Sequence, residues 1–294
     1  MKYFVIVNPL SKHAKQDSLE KIRRMLGNVE ILFSNYAGES IELAYNVSKN
    51  FFNDEITIIA VGGDGTINEV CEGIVKAGRN DIAIGIIPAG TANVIAKELK
   101  IPKKLSKAIE IILKNKKRKI FLSEINKKYF LFTCGIGFDG MIVENVNLKL
   151  KKIAGKFAYI LSAFRVLSNL EKLPYFKIIA ENNQNLEAQT AIINRTEKYA
   201  GNFKIFNNAN IFSQEFEVLI FRKLNLKILL NFLYNVFIKK DFSSKKNYQF
   251  IPSNQVKIES LNNLSVQVDG DFFKDKVETV KVSKDKYLQF IVAD

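Results

Sequence analysis

The chain has 294 residues and a mass of 33.5 kDa, enough to bury a sizeable core and to divide into two domains. Its 44 Lys and Arg stand against 30 Asp and Glu, a net charge of +14 that favours a nucleotide, a nucleic acid or an acidic membrane surface as partner. An AT-rich coding sequence would give the same lysine bias. A single histidine, His13, excludes a Ser-His-Asp triad built elsewhere and a histidine-rich metal centre. Cys71 and Cys134 lack CxxC spacing and lie in apolar surroundings, which fits two reduced, buried thiols. The apolar run in MKYFVIVNPL is too short for a signal peptide, and no stretch of about 18 apolar residues exists to span a bilayer. A cytoplasmic location is therefore expected.

The first 120 residues alternate strand and helix. KYFVIV, VEILF, ITIIAV and IAIGII read as strands, with helices over Asp17 to Leu26, Glu39 to Phe52 and Thr66 to Ala77, and further helices from Ala92 and Leu105. Continuous apolar strands between amphipathic helices predict a parallel sheet covered on both faces, with ligands beyond the carboxyl ends of its strands.

After Lys119 the pattern changes. Helical stretches persist over Gly140 to Leu170 and Leu224 to Ile238. The rest is short alternating strands: YFLFTCGI, YFKIIAE, AQTAIIN, FEVLIF, QVKIES, LSVQVDG, VETVKV and YLQFIV. These predict an antiparallel sandwich or open barrel. The expected division is 1–120 and 121–294, with the final strands packing back on the first domain.

Two loops echo each other. GTIN (Gly65, Thr66, Ile67, Asn68) recurs as GTAN (Gly90, Thr91, Ala92, Asn93), each after an apolar strand and opening a helix. Glycines there let a backbone approach a ligand closely, and a helix N-terminus adds partial positive charge, so the pair suits phosphate. No Gly-Lys-Ser/Thr follows Gly65, and Asn68 stands where a dinucleotide fingerprint has its third glycine. Asp64 would repel phosphate unless a cation lay between, which suggests a magnesium-nucleotide complex. Taken alone, the stretch also reads as a tight turn with a solvated or capping aspartate.

GGDGT followed by INEV and then PAGTAN resembles the paired signature of the diacylglycerol kinase and sphingosine kinase family of lipid kinases. Asn8-Pro9, CGIGFDG (134–140), GKFAYIL (155–161), YAGNFKI (199–205) and VDGD (268–271) follow in that family's order, so the resemblance covers essentially the whole chain. It implies a Rossmann-like α/β domain of NAD kinase-like fold followed by an antiparallel β-sandwich domain. It also implies ATP and Mg2+ as cofactors, with Asn8, Ser34, Gly62, Gly63, Asp64, Gly65, Thr66, Asn68, Gly90, Thr91 and Asn93 at the nucleotide. By the same resemblance Asp64 meets the metal through Mg-ATP, and Asp271 is the base on a lipid hydroxyl. Which of Asp64 and Asp271 takes the proton stays open.

Three departures from the family pattern stand out. NPLSKHAK supplies Ser11, Lys12 and His13 where glycine is common, so the first phosphate loop relies on side-chain charge. Val94 replaces an aspartate after GTAN. Phe212, Ser213 and Gln214 in ANIFSQEFEV stand where bacterial members carry acids for a structural magnesium, so no structural metal site is expected there.

LNLKILLNFLYNVFIKK (224–240) is unusually apolar, and either lines an acyl-chain cleft, touches a membrane interface or packs in a core. Lysine clusters at Lys114 to Lys119 and Lys149 to Lys156 suit anionic headgroups or solvated helix faces. The reading is an ATP-dependent kinase acting on a diacylglycerol-like lipid with a free hydroxyl, peripheral to an anionic membrane. The alternatives are an NAD kinase-like enzyme and a catalytically idle lipid-binding protein. Nucleic acid is not expected, since no aromatic base-stacking platform accompanies the lysines.

Overall fold

The computed structural model describes residues 1–52, 54–126, 128–146, 156–167, 170, 173–181, 184–199, 203–241 and 243–293. Lys149, Lys151 and Lys152 of the second lysine cluster, Gly155 of GKFAYIL and Ala200 to Asn202 of YAGNFKI lie outside the described residues. The chain forms two compact units, Met1–Phe121 with Lys284–Asp294, and Leu122–Ser283.

In the first unit, β1 (Lys2–Val7), β2 (Val29–Phe33), β3 (Ile56–Gly62) and β4 (Ala83–Pro88) pair in parallel in the order β2-β1-β3-β4. Between them run α1 (Gln16–Leu26), α2 (Glu39–Asn50) and α3 (Asp64–Lys76), and α4 (Val94–Glu98) and α5 (Leu105–Lys114) follow β4. Every residue of β3 and β4 is buried, as a parallel sheet covered on both faces requires. The β-branched content of ITIIAV is what lets the strand fill that space. Two boundaries differ from the pattern-based reading, since α3 begins at Asp64 rather than Thr66 and the helix after GTAN is only five residues long.

β5 (Lys117–Ile125) carries the chain into the second unit, which contains β6 (Lys128–Phe130), β7 (Thr133–Ile136) and α6 (Phe138–Glu144), then a helix over Lys156–Leu167. There follow β8 (Phe176–Ala180), β9 (Asn185–Ala188), β10 (Thr190–Asn194), β11 (Lys198–Tyr199), β12 (Phe203–Lys204) and β13 (Phe216–Phe221). A helix over Leu226–Leu233 runs into a π-helix over Tyr234–Ile238. The strands resume with β14 (Tyr248–Ser253), β15 (Gln255–Glu259), β16 (Val266–Val268), β17 (Asp271–Phe273) and β18 (Thr279–Ile291). One antiparallel sheet has the order β14-β13-β10-β7-β16-β17. In another, β15 pairs antiparallel with β8 and with the start of β18.

The strands expected over 277–282 and 287–292 are one continuous strand, β18. Its last residues pair in parallel with β4, Gln289 opposite Ala83 and Phe290 opposite Ile84. The strand expected over YFLFTCGI is instead broken into β6 and β7 at Leu131 and Phe132. The second unit's apolar packing includes an aromatic cluster. Phe232 lies with ring centroids 5.1 Å from both Phe221 and Tyr248.

Candidate functional site

The first unit assembles three loops at the carboxyl ends of its strands. The Asn8 backbone N–H donates to the Val61 carbonyl (3.1 Å), and its side-chain amide nitrogen reaches the Thr66 hydroxyl (3.4 Å). Its amide oxygen accepts from the Leu10 N–H at 2.9 Å, folding the loop after β1 on itself. Ser34, at the end of β2, is buried with its hydroxyl 3.4 Å from the Val7 carbonyl. The Ala89 N–H donates to the Gly62 carbonyl at 2.8 Å, joining the loop after β4 to the one after β3.

The two Gly-Thr loops touch. A methyl group on Gly90 would lie 2.5 Å from the Gly63 Cα, and one on Gly63 would lie 3.2 Å from the Gly90 Cα, so the crossing is closed to a side chain at Gly90 and tight at Gly63. At Gly65, by contrast, a Cβ would meet nothing within 4 Å, and the residue is exposed. That open glycine sits in the first turn of the 13-residue α3, where backbone amides and the helix dipole face outward.

Asp64 is the first residue of α3, and its carboxylate accepts from the Ile95 N–H at 3.2 Å. It thus reaches across to the amide end of α4. Burial pushes its pKa up, and the amides of Ile95, Val94 and Asn93 with the Lys97 charge pull the other way. Asn93 is buried in the left-handed region (φ 48) and closes on Gly90. Its amide oxygen accepts from the Gly90 N–H (2.9 Å), and its amide nitrogen donates to the Gly90 carbonyl (2.7 Å). Thr91 is exposed at the tip of the same loop. Asn68 lies one turn into α3, half-buried. Burial first, then the neighbouring Lys12, holds His13 below its usual value against a backbone hydrogen bond at Lys103. In the cluster at Lys114 to Lys119, Lys117 pairs with Glu55 at 3.3 Å and Lys119 lies 4.4 Å from the Tyr287 ring centre.

Among the described residues, no group of three or more His, Cys, Asp or Glu is placed to hold a metal. One carboxylate at the end of an amide-rich loop suits magnesium that brings phosphate and water ligands with it, because Mg2+ keeps most of its own shell.

The second unit holds Asp271 at the start of β17, exposed, on a hairpin whose turn residues Asp269 (φ 50) and Gly270 (φ 88) both adopt positive φ. That is a type I′ turn, and Asp-Gly is its preferred sequence. The Asp269 carboxylate accepts three backbone N–H groups, from Leu131 (2.8 Å), Phe132 (3.0 Å) and Thr133 (2.9 Å). Those bonds account for the break between β6 and β7. The other side of the turn is held by Gln267, whose amide oxygen accepts from the Gly270 N–H (2.8 Å) while its amide nitrogen donates to Asp139 (2.7 Å). Tyr199 donates its hydroxyl to the same Asp139 carboxylate. Asp139 is buried, and burial drives its pKa up against those two hydrogen bonds. Asp139 and Tyr199 fall within the motifs CGIGFDG and YAGNFKI, and Gln267 within the expected strand LSVQVDG, none of which by itself assigns them a role.

In the loop 209–215, the buried Arg195 guanidinium donates to the carbonyls of Ile211 (2.8 Å) and Ser213 (2.6 Å). Burial lowers its pKa to about 10, opposed by the charge of Asp269.

Residues 2–125, which carry all three loops, match the model of the diacylglycerol kinase catalytic domain. This segment is similar to diacylglycerol kinase catalytic domains. Similarity to diacylglycerol kinases extends beyond it. A Staphylococcus aureus diacylglycerol kinase is 27% identical over 274 residues, covering 91% of this chain and 85% of that protein. A Staphylococcus epidermidis diacylglycerol kinase is 26% identical over the same coverage. A solved diacylglycerol kinase structure from Bacillus anthracis str. Sterne superposes with a TM-score of 0.71 at 18% identity, over 99% of this chain and 97% of that one. Another solved chain from that organism reaches a TM-score of 0.80 at 21% identity with the same coverage. The α/β plus antiparallel architecture is thus that of the diacylglycerol kinase-like fold.

Proposed function

We propose that the protein is a lipid kinase that transfers the terminal phosphoryl group of magnesium-ATP to the hydroxyl of a diacylglycerol-like lipid. The observation that carries the reading is the crossing of Gly63 and Gly90, with Asp64 bonded to the α4 amide of Ile95, inside the segment matching the diacylglycerol kinase catalytic domain. The lipid class itself comes from the named relatives.

Phosphoryl transfer needs positioning and charge stabilisation more than covalent help from the protein. Asn8, Ser34, Gly62 to Asn68 and the Gly90 to Asn93 loop are assigned to the nucleotide, with Gly65 as the open approach. Magnesium supplies neutralisation of the phosphate oxygens, and Asp64 is the carboxylate assigned to it. Asp271 takes the hydroxyl proton as the acceptor oxygen bonds to phosphorus and ADP departs. Its turn is fixed by Asp269 and Gln267, so the carboxylate is held on a pre-set hairpin rather than on a loose loop. No helix among the described residues is long and apolar enough to cross a membrane, and the net charge of +14 favours an anionic bilayer as the source of substrate. Cys71 and Cys134 are buried and neither is in a disulfide, which supports a reducing, cytoplasmic setting.

The test is labelled ATP with a panel of hydroxyl lipids in mixed micelles, with NAD as a further acceptor. Diacylglycerol labelled in a magnesium-dependent manner is the expected result. Label on NAD, or lipid binding with no transfer to any lipid, would overturn the reading.

A further inference from the structure

The helix over Leu226–Leu233 and the π-helix over Tyr234–Ile238 are apolar on two sides. The inner side is accounted for: Phe232 and Val236 are buried in the cluster that holds Phe221, Leu224 and Tyr248. The outer side carries Leu226 (52% exposed), Leu230 (56%), Tyr234 (49%), Phe237 (38%) and Ile238 (69%). Phe203 of β12, itself exposed, stacks edge-on against Phe237 with ring centroids 5.1 Å apart and widens the patch. A surface helix normally turns charge outward, so contiguous apolar area of this kind marks a contact surface.

The charge around the patch says what it contacts. From Arg222 to Lys240 the sequence holds Arg222, Lys223, Lys227, Lys239 and Lys240 and no acidic residue. All five are exposed. The Lys239 ammonium lies 5.4 Å from the Tyr234 ring centre, at the border between apolar patch and charge. The run from Leu226 to Ile238 spans about 20 Å, short of the roughly 30 Å of bilayer hydrocarbon. It ends abruptly, with the Lys239 N–H on the Tyr234 carbonyl in the wide π spacing and Lys240 in the left-handed region (φ 53).

We infer that this face docks the protein on an anionic lipid bilayer, Leu226, Leu230, Tyr234, Phe237, Ile238 and Phe203 entering the acyl boundary while the flanking lysines meet headgroup phosphates. An in-plane amphipathic segment with aromatics and lysines at its margin is built for that depth. The inference draws its purpose from the lipid-kinase reading, and the surface is testable without turnover.

The chain contains no tryptophan, so Tyr234→Trp gives a single reporter on the patch. With vesicles of phosphatidylglycerol and phosphatidylcholine and no ATP, its emission shifts to the blue and is quenched by brominated acyl chains. With phosphatidylcholine alone it does not. Leu230→Asn with Ile238→Asn lowers partitioning about tenfold or more. Lys227→Gln with Lys240→Gln lowers it by about fivefold per lysine, the weight of one charge near an anionic surface. Both double variants retain the native melting temperature and phosphorylate a short-chain, water-dispersed acceptor at the native rate, a readout that fails separately if the kinase reading fails. Unchanged vesicle partitioning in the Leu230/Ile238 variant, equal binding to neutral vesicles, or a self-association in sedimentation that the same substitutions abolish would overturn the docking surface.

Discussion

Gly90 backs onto Gly63 so closely that a single methyl on Gly90 would stand 2.5 Å from the Gly63 Cα. Gly90→Ala must push the two loops apart, and it is expected to lower both melting temperature and ATP affinity. Gly65→Ala separates ligand from fold. Its methyl meets no protein atom within 4 Å, and alanine in a helix stabilises by roughly 0.5 to 1 kcal/mol over glycine. Weakened ATP binding in a Gly65→Ala variant of undiminished melting temperature is the expected calorimetric outcome, and native affinity would remove this glycine from the nucleotide path.

Asp271→Asn keeps the hairpin and loses the proton acceptor. General-base loss costs about 100- to 10,000-fold, so lipid phosphorylation should fall by at least the lower factor while ATP affinity holds. Asp64→Asn should instead weaken magnesium-dependent nucleotide binding. Near-native turnover by Asp271→Asn would make Asp271 a turn residue only.

Acid should act on the nucleotide first through Asp64. Burial raises its pKa, so on lowering the pH it takes up a proton sooner than an exposed carboxylate does. The carboxylate form, and the magnesium-dependent affinity assigned to it, is present above that raised value and lost below it. Titration of Mg-ATP affinity against pH should show an acid limb that Asp64→Asn flattens. An identical limb in the variant would point to another group.

Asp269 carries three amide hydrogen bonds from Leu131, Phe132 and Thr133. Hydrogen bonds to charged groups contribute about 1.5 to 3 kcal/mol each, and alanine also tolerates positive φ poorly. Asp269→Ala should therefore cost about 3 kcal/mol or more in denaturant unfolding, with Asp269→Asn losing less because asparagine accepts in the same place and tolerates the turn. Equal losses in the two variants would mean that the turn conformation is not what Asp269 fixes.

A guanidinium holds the loop 209–215 from within the chain, through the carbonyls of Ile211 and Ser213. Exhaustive chelation should leave the melting temperature of the nucleotide-free protein unchanged, whereas Arg195→Leu, which strips those carbonyls of their donor, should lower it. A melting temperature that falls on chelation and returns with magnesium would reveal a structural metal.

The parallel sheet was legible because ITIIAV and its neighbours are unbroken apolar runs, and the glycine loops because their echo is local. What escaped the sequence depends on partners far along the chain. Leu131 and Phe132 look like mid-strand residues until Asp269, 138 and 137 positions later, takes their amides. Asp139 shows no sign of its role until Tyr199 and Gln267 arrive around it. Asp64 read as a loop residue because a glycine follows it, yet its bond to the Ile95 amide lets α3 begin there. The end of the chain was split into two strands because Lys284, Asp285 and Lys286 interrupt the apolar pattern, although an extended backbone carries charged residues at little cost where it is exposed, as at Asp285 and Lys286.

β18 has a consequence for biosynthesis. Residues 284–294 belong to the first unit, and Gln289 and Phe290 complete the edge of β4. A ribosome delivers those residues only after all of 122–283 has been made. Until then the β4 edge offers its unpaired amides and carbonyls to any passing strand, the kind of exposed edge that invites mispairing. Residues 2–125 are thus made before the strand that completes their sheet, and a nascent chain stalled before Gln289 would hold both Gly-Thr loops without a completed sheet beneath them.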